Sequence, residues 1–530
     1  MKQKRSLSLS ITISAVLFAL TGGVCASPDT ASTEIDHLVF SKLKALEIPP
    51  SPPCTDEVFL RRVYLDMLGT LPTKEEARTF LKSNDADKRS VLIEELFDRP
   101  EFADYWSLKW CDLLRVKAEF PSKLWPNAVQ AYHRWVHTAL HNNMPYDEFA
   151  RALLTSSGSN FRVAPVNFYR AMPKREPEEI ARIVALTFMG MRTDHWERDQ
   201  LLGMAAFFGN VGYKGTAEWK EEIVFFDPTK TFVDPETEEP VPAKLPDGTV
   251  IERSPGRDPR LEFSEWLIGS KVFSRSVVNR VWYWLLGRGI VHEADDIRDD
   301  NPPQNAALLD FLANELVTND YDLRHIYRII LNSRTYQLAS IHNEGNLNDE
   351  TNFSRYYVRR LGAEVLIDAI CQITGTTESY SSQIPEPFTF IPEKQRSIKL
   401  SDGSITSPFL DLYGRPPRDT GYESERNNNP SSAQKLHLLN SSHIQQKIVN
   451  NKALFGRYYE KRPGKKKPKT AWHTPEKTLE GMYLTILSRY PTAQEKETAL
   501  EYYSRAESRF AAGTDIVWAL LNTKEFIYRH

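Results

Sequence analysis

Cysteine is nearly missing from this chain: four in 530 residues, at Cys25, Cys54, Cys111 and Cys371. So sparse a set excludes a disulfide framework. With Cys25 set aside, at most one internal bridge is open, and Cys54–Cys111 is the expected pair because both fall in one helical region. Metal-ligand spacing is equally absent, since neither C-x-x-C nor H-E-x-x-H occurs. No metal and no cofactor is expected. A dominant charge is lacking too: 67 Lys and Arg stand against 70 Asp and Glu, a net −3, which argues against a nucleic-acid partner. The one long apolar run, Leu7 to Leu20, is too short to span a bilayer with comfort. Lys2, Lys4 and Arg5 precede it and Val24-Cys25-Ala26 follows, the pattern of a cleaved export signal. Residues 1–26 are therefore read as a signal peptide. The mature chain then holds no transmembrane helix and works in the periplasm or at the cell surface. A lipidated Cys25 is the alternative, though Gly22-Gly23-Val24 matches a lipidation box poorly.

What the chain does have is aromatic and apolar weight. Aromatics at 11% and hydrophobics at 41% suit a folded globular protein of two or three domains. Helical periodicity runs from Thr33 to Phe208, with expected helices near 35–43, 58–68, 87–98, 102–116, 127–141, 146–155 and 177–190. Thr73 and Glu76 read as a capping box. Tyr105, Trp106, Trp110, Trp125, Tyr132 and Trp135 read as a core seam. Between Gly209 and Pro259, short β-like runs at 223–226, 231–233, 241 and 249–251 alternate with prolines. From 260 to 530 the pattern is helical again, and Val277 to Leu286 is apolar nearly all round, hence central. The acidic cluster Glu293 to Asp300 lacks EF-hand spacing and reads as a loop before a helix capped by Asn305. Lys461 to Lys469 reads as a flexible basic loop. The expected fold is mostly α: an N-terminal helical domain at 33–208, a small β-rich insert at 209–259 and a C-terminal helical domain at 260–530. One echo stands out: YLDMLGTLPTKEEARTFL (64–81) and YLTILSRYPTAQEKETAL (483–500) share a helix, a Pro-Thr cap and an acidic first turn.

The stretch Phe409 to Val449 draws attention as a site. Pro416-Pro417 and Asn427-Asn428-Asn429-Pro430 forbid regular structure in its first half, which packs Arg415, Arg418, Asp419, Glu423, Glu425 and Arg426 together. Its second half reads as one helix started by Ser431 or Ser432, with Leu436, Leu439, His443, Ile444 and Ile448 on one side. The charges form either an ion-pair network within the loop or guanidinium forks for a carboxylate or sulfate. Glu423 and Glu425 are the residue type for acid–base work on a glycoside, but nothing in the sequence sets their spacing.

FLRRVYLDMLGTLPTKEEARTFL and DKRSVLIEELFDRPEFADYW, then SRSVVNRVWYWLLGRGIVHEADDI, DLRHIYRIILNSRTYQLAS, RRLGAEVLIDAI and DIVWALLNTKEFIYRH, resemble the two domains of a bacterial family of unknown function. That family is best known from planctomycetes, and its domains often accompany cytochrome c-type domains. The resemblance carries no agreed activity. It does imply two departures. In many relatives a Cys-x-x-Cys-His-type segment lies where this chain runs from Met191 directly to Trp196. Close relatives also carry two cysteines at the positions of Tyr422 and Ser424. If those motifs cooperated, the chain is a degenerate copy rebuilt without sulfur, with Asp194, His195 and Trp196 approaching Tyr422 to Arg426 and with Arg418 or Arg426 facing Asp194 or a glutamate. Neither haem attachment nor a thiolate site is then available. The purified mature protein is expected to show no Soret band, and a haem-stained band on a denaturing gel would refute this. The expected function is an exported binding or assembly component for an unknown protein or an anionic or carbohydrate ligand. A hydrolase-like enzyme on extracellular carbohydrate and an electron-transfer accessory of a cytochrome are the alternatives.

Overall fold

Helix-starting chemistry recurs along the chain and fixes where its elements begin. Thr33 with Asp36, Thr73 with Glu76, Ser431 with Gln434 and Thr492 with Glu495 each close a reciprocal capping box. Asn305 accepts from the Leu308 amide at the start of Ala306–Thr318. The computed structural model describes residues 33–252, 256–450, 454–455, 457–460 and 469–530. The leader read at 1–26 and most of the basic run Lys461–Lys469 lie outside the described residues. The protein is mostly α, with sheets of no more than three strands among the described residues. No described helix is long and apolar enough to cross a membrane.

Strand pairing is short and antiparallel. Val211–Gly215 pairs with Glu222–Phe226, Tyr213 opposite Val224, and Gly158–Ser159 adds a third strand from within the first helical region. The runs at 231–233 and 249–251 are not strands. They make single bridges, Val233 to Pro240 and Lys244 to Val250, because the interleaved prolines remove ladder donors. Arg359–Arg360 pairs with Tyr528–Arg529, and Arg457–Glu460 with Lys469–Trp472.

One continuous apolar core runs from Ile35 to Phe526. At its centre Trp106 and Trp110, on Pro100–Leu113, meet Trp284 on Lys271–Leu286 with ring centres 5.5 and 5.7 Å apart. Lys271–Leu286 is buried nearly all round, as its sequence implied, and ends on Gly287 in the left-handed region at φ 86°. The first echoed segment packs near the second: Lys74–Lys82 lies on Pro475–Ile486, the helix that leads into the second copy, and Arg78 pairs with Glu480 on it.

The core also contains charge. Arg61 donates to the carbonyls of Ile486 and Phe526, and Arg62 to those of Tyr336, Leu338 and His530. Asp66, fully buried, accepts from the hydroxyls of Tyr336 (2.8 Å) and Tyr356 (2.9 Å) and pairs with Arg359 (3.3 Å) and Arg529 (2.5 Å). Burial of Arg61 and Arg62 is tolerated because most of their donors are met by carbonyls fixed in place.

Two expectations are corrected. The helix read across 432–449 breaks at Ser441, whose extended backbone ends Ser432–Asn440 and whose Oγ accepts from Ile444 to start Ser442–Asn450. On the first of the two helices Leu436 and Leu439, expected on the inner side, are exposed (58% and 37%), while Leu438, Ile444 and Ile448 face the core. Cys54 and Cys111 do not pair; both are free and buried. Burial pushes the Cys111 thiol up to about 12, so it is unreactive. Cys54 and Cys111 are therefore expected to react with Ellman's reagent only on unfolding. Fast reaction of either in the folded protein would show the burial to be wrong.

Candidate functional site

The loop from Gly414 to Asn427 is closed at its neck. Gly414 takes φ 80°, its carbonyl accepts from the Asn427 amide, and Arg360 donates to the carbonyls of Tyr413, Asn427 and Asn428. The loop's charges do not satisfy one another, which corrects the internal network expected from sequence. Arg418 turns inward to Asp112 (2.9 Å) and to the carbonyls of Val116 and Ser401. Arg426 forks onto both oxygens of Glu364 (2.7 and 3.1 Å) and reaches Asp112 (2.6 Å). Arg415 donates to the carbonyls of Ile405 and Asp402 and stands 3.6 Å from Glu364. Burial alone would raise the Glu364 carboxyl, but Arg426 and Arg415 hold it down at about 2. Glu425 accepts from the amides of Asp419 and Thr420. These groups are a lock between the loop and the Pro100–Leu113 helix.

Glu423 is placed differently. Its amide donates to Asp295 (2.6 Å), and its carboxylate accepts from Trp284 Nε1 (3.0 Å). There it enters a cleft of about 70 Å³ lined by Tyr105, Lys109, Arg359, Arg360, Glu364, Arg426 and Arg529 among others. Burial raises the Glu423 carboxyl, with Lys109 opposing. Burial lowers the Lys109 ammonium, and Arg426 lowers it further. Lys109 makes no hydrogen bond or ion pair among the described residues. Three more donors on the cleft's arginines find no acceptor: Arg359 Nε, Arg360 Nη1 and Arg529 Nε. Five cations face two carboxylates around this space. An oxyanion is the group whose lone pairs answer such a set of donors. The cleft is small, about 70 Å³, on the scale of a single oxyanion group or a few waters.

The 192–196 segment meets the loop at Tyr422, but the guanidinium contacts expected with Asp194 are not made. Arg192 stands 5.2 Å from the ring centre of Tyr422 and pairs with Glu293. Burial, then the charge of Asp194, raises the Tyr422 phenol. Asp194 and His195 are exposed on a short 3-10 turn, and Trp196 packs partly on the core. Neither Arg418 nor Arg426 reaches Asp194; both are taken by Asp112, and Arg426 also by Glu364. None of Asp194, His195 and Trp196 lines the cleft. Lys109, Asp112 and Glu364 went unread in the sequence. Their signal was a charge inside an otherwise apolar helix, in YWSLKWCDL and GAEVLIDAI.

Two family descriptions match the chain: PSCyt2, a protein of unknown function (DUF1549), over residues 34–211, and PSD1, a protein of unknown function (DUF1553), over residues 259–503. No curated protein and no solved structure matches.

Proposed function

We propose that this chain, which matches the models of two domains of unknown function, is an exported binding protein whose cleft between the two matched regions captures one anionic group, a carboxylate or a sulfate, of a larger ligand. One observation carries this reading: Lys109, which makes no hydrogen bond or close ion pair among the described residues, shares the cleft with three buried arginine N–H groups that have no acceptor. Export rests on the signal-like residues 1–26. A degenerate relation to cytochrome-linked relatives rests on the resemblance and on Tyr422 and Ser424 standing where those relatives carry cysteine.

The enzymatic alternative has one observation in its favour. Burial raises Glu423 and lowers Lys109, opposed shifts of the kind found where an acid and a base work together. Glycoside hydrolysis, however, needs two carboxylates free to flank the sugar; Glu425 is spent on backbone amides outside the cleft, and Glu364, the second carboxylate within it, is held by Arg426 and Arg415. Binding is the better reading.

Thermal melts with sodium sulfate against sodium chloride at matched ionic strength test it. At about 100 times its dissociation constant, sulfate stabilises by about 2.7 kcal/mol. Lys109→Gln should erase the sulfate-specific part. Affinity should also fall as pH rises through the lowered lysine pKa, because the anion binds the protonated ammonium. Equal protection of wild type and Lys109→Gln would end the proposal.

A further inference from the structure

Trp125 does not belong to the core seam in which its sequence neighbours sit. It is partly buried, and its ring meets Trp219 at 4.6 Å and Phe388 at 5.5 Å, while Trp219 and Phe388 lie 5.4 Å apart. The three come from three separate parts of the chain: the start of Pro126–His141, the turn between strands 211–215 and 222–226, and the proline-rich segment after 384. Trp219 is 55% exposed and Phe388 44%. Aromatic rings gathered from distant segments and left in solvent lose the burial that normally justifies them.

The surroundings say what covers them. Lys220 Nζ stands 5.4 Å from the centre of Trp125 and 5.5 Å from that of Trp219, and Lys123 Nζ is 5.3 Å from the centre of Phe120, itself 72% exposed. The backbone supports the placement at a cost: Lys123, Trp125 and Lys220 take φ of 53°, 71° and 63°, a region side-chain-bearing residues avoid. These three residues supply one ring, Trp125, and two ammonium groups, of which Lys220 stands over the ring cluster itself.

We propose that this patch is a binding platform for an acidic polysaccharide, a pyranose chain carrying a carboxylate on its sugars. The C–H face of a pyranose is weakly positive and apolar, and it packs on the negative face of an indole or phenyl ring. An ammonium beside the ring supplies the charge for the carboxylate that projects from the sugar's edge. Neutral glycan would leave the lysines unanswered, and an apolar protein surface would bury their charge. The platform is distinct from the cleft, being lined by none of its residues, and stands whether or not the cleft binds an anion.

Titration of the folded protein with oligogalacturonate, followed by tryptophan fluorescence and by sedimentation, tests it. Trp219→Ala/Phe388→Ala should weaken binding by on the order of tenfold or more. Lys220→Gln, which leaves the rings in place, should weaken it severalfold and flatten its salt dependence. Unchanged melting checks that each variant is folded. The proposal is overturned if neutral dextran binds equally well, if the protein binds no oligogalacturonate, or if the ring variants instead abolish a self-association of this chain. Loss in Lys109→Gln with none in the ring variants would overturn the platform while leaving the cleft reading intact.

Discussion

Asp66→Asn is expected to destabilise the fold by about 3–5 kcal/mol, the cost of breaking a buried ion pair by removing one partner. Asp66 has no exposure and answers four donors from the C-terminal half: two phenols and two guanidiniums. Asparagine keeps the shape but removes the charge and turns one acceptor into a donor, so Arg529 and Arg359 are left buried without compensation. The urea midpoint should fall at unchanged slope. Tyr356→Phe, which removes only one donor, should cost about 1 kcal/mol. A midpoint for Asp66→Asn within error of wild type would show that the network is not a structural keystone.

Arg426→Met is the second large effect, about 3 kcal/mol, because Glu364 loses the guanidinium forked onto it and Asp112 is left with Arg418 alone. Its distinguishing mark is acid sensitivity. The Glu364 carboxyl sits at about 2 against an ordinary 4.5, so its ionised form is favoured in the fold. That stability is fully present above about pH 4.5 and is lost as pH falls toward about 2. Without Arg426, burial dominates and raises the same carboxyl, so the variant should begin to unfold at higher pH than wild type. The acid limb of a circular-dichroism pH titration reads this directly. Coincident acid limbs would contradict the assignment.

Local chemistry was the legible part of this sequence. Thr73 with Glu76 and the stop at Gly287 are decided within a few residues, and so they could be read. The second half of the 409–449 stretch failed for an equally local reason. Ser441 and Ser442 were counted inside a periodic pattern, although serine after asparagine is also a cap, and it served as one. The loop's charges were visible but their partners were not. Arg418 meets Asp112 across 306 positions and Arg426 meets Glu364 across 62. No periodicity carries such pairings; they depend on how the helices pack. Lys109 was hidden by its setting, because a lysine between tryptophans reads as the polar edge of a core helix until a cleft is seen to open beside it.

The ties of Arg61, Arg62 and Asp66 have a consequence in time. Their partners include Ile486, Phe526, Arg529 and His530, separated from them by 425 to 468 positions. A ribosome adds about 5–20 residues each second, so the early helix waits tens of seconds for the groups that neutralise it. Loop closure over such distances is slow, and through that interval its arginines and aspartate stay hydrated. The nascent first half therefore has no finished state of its own to reach. It stays open, and dependent on whatever keeps unfinished chains from clumping, until the residues that seal it have been made.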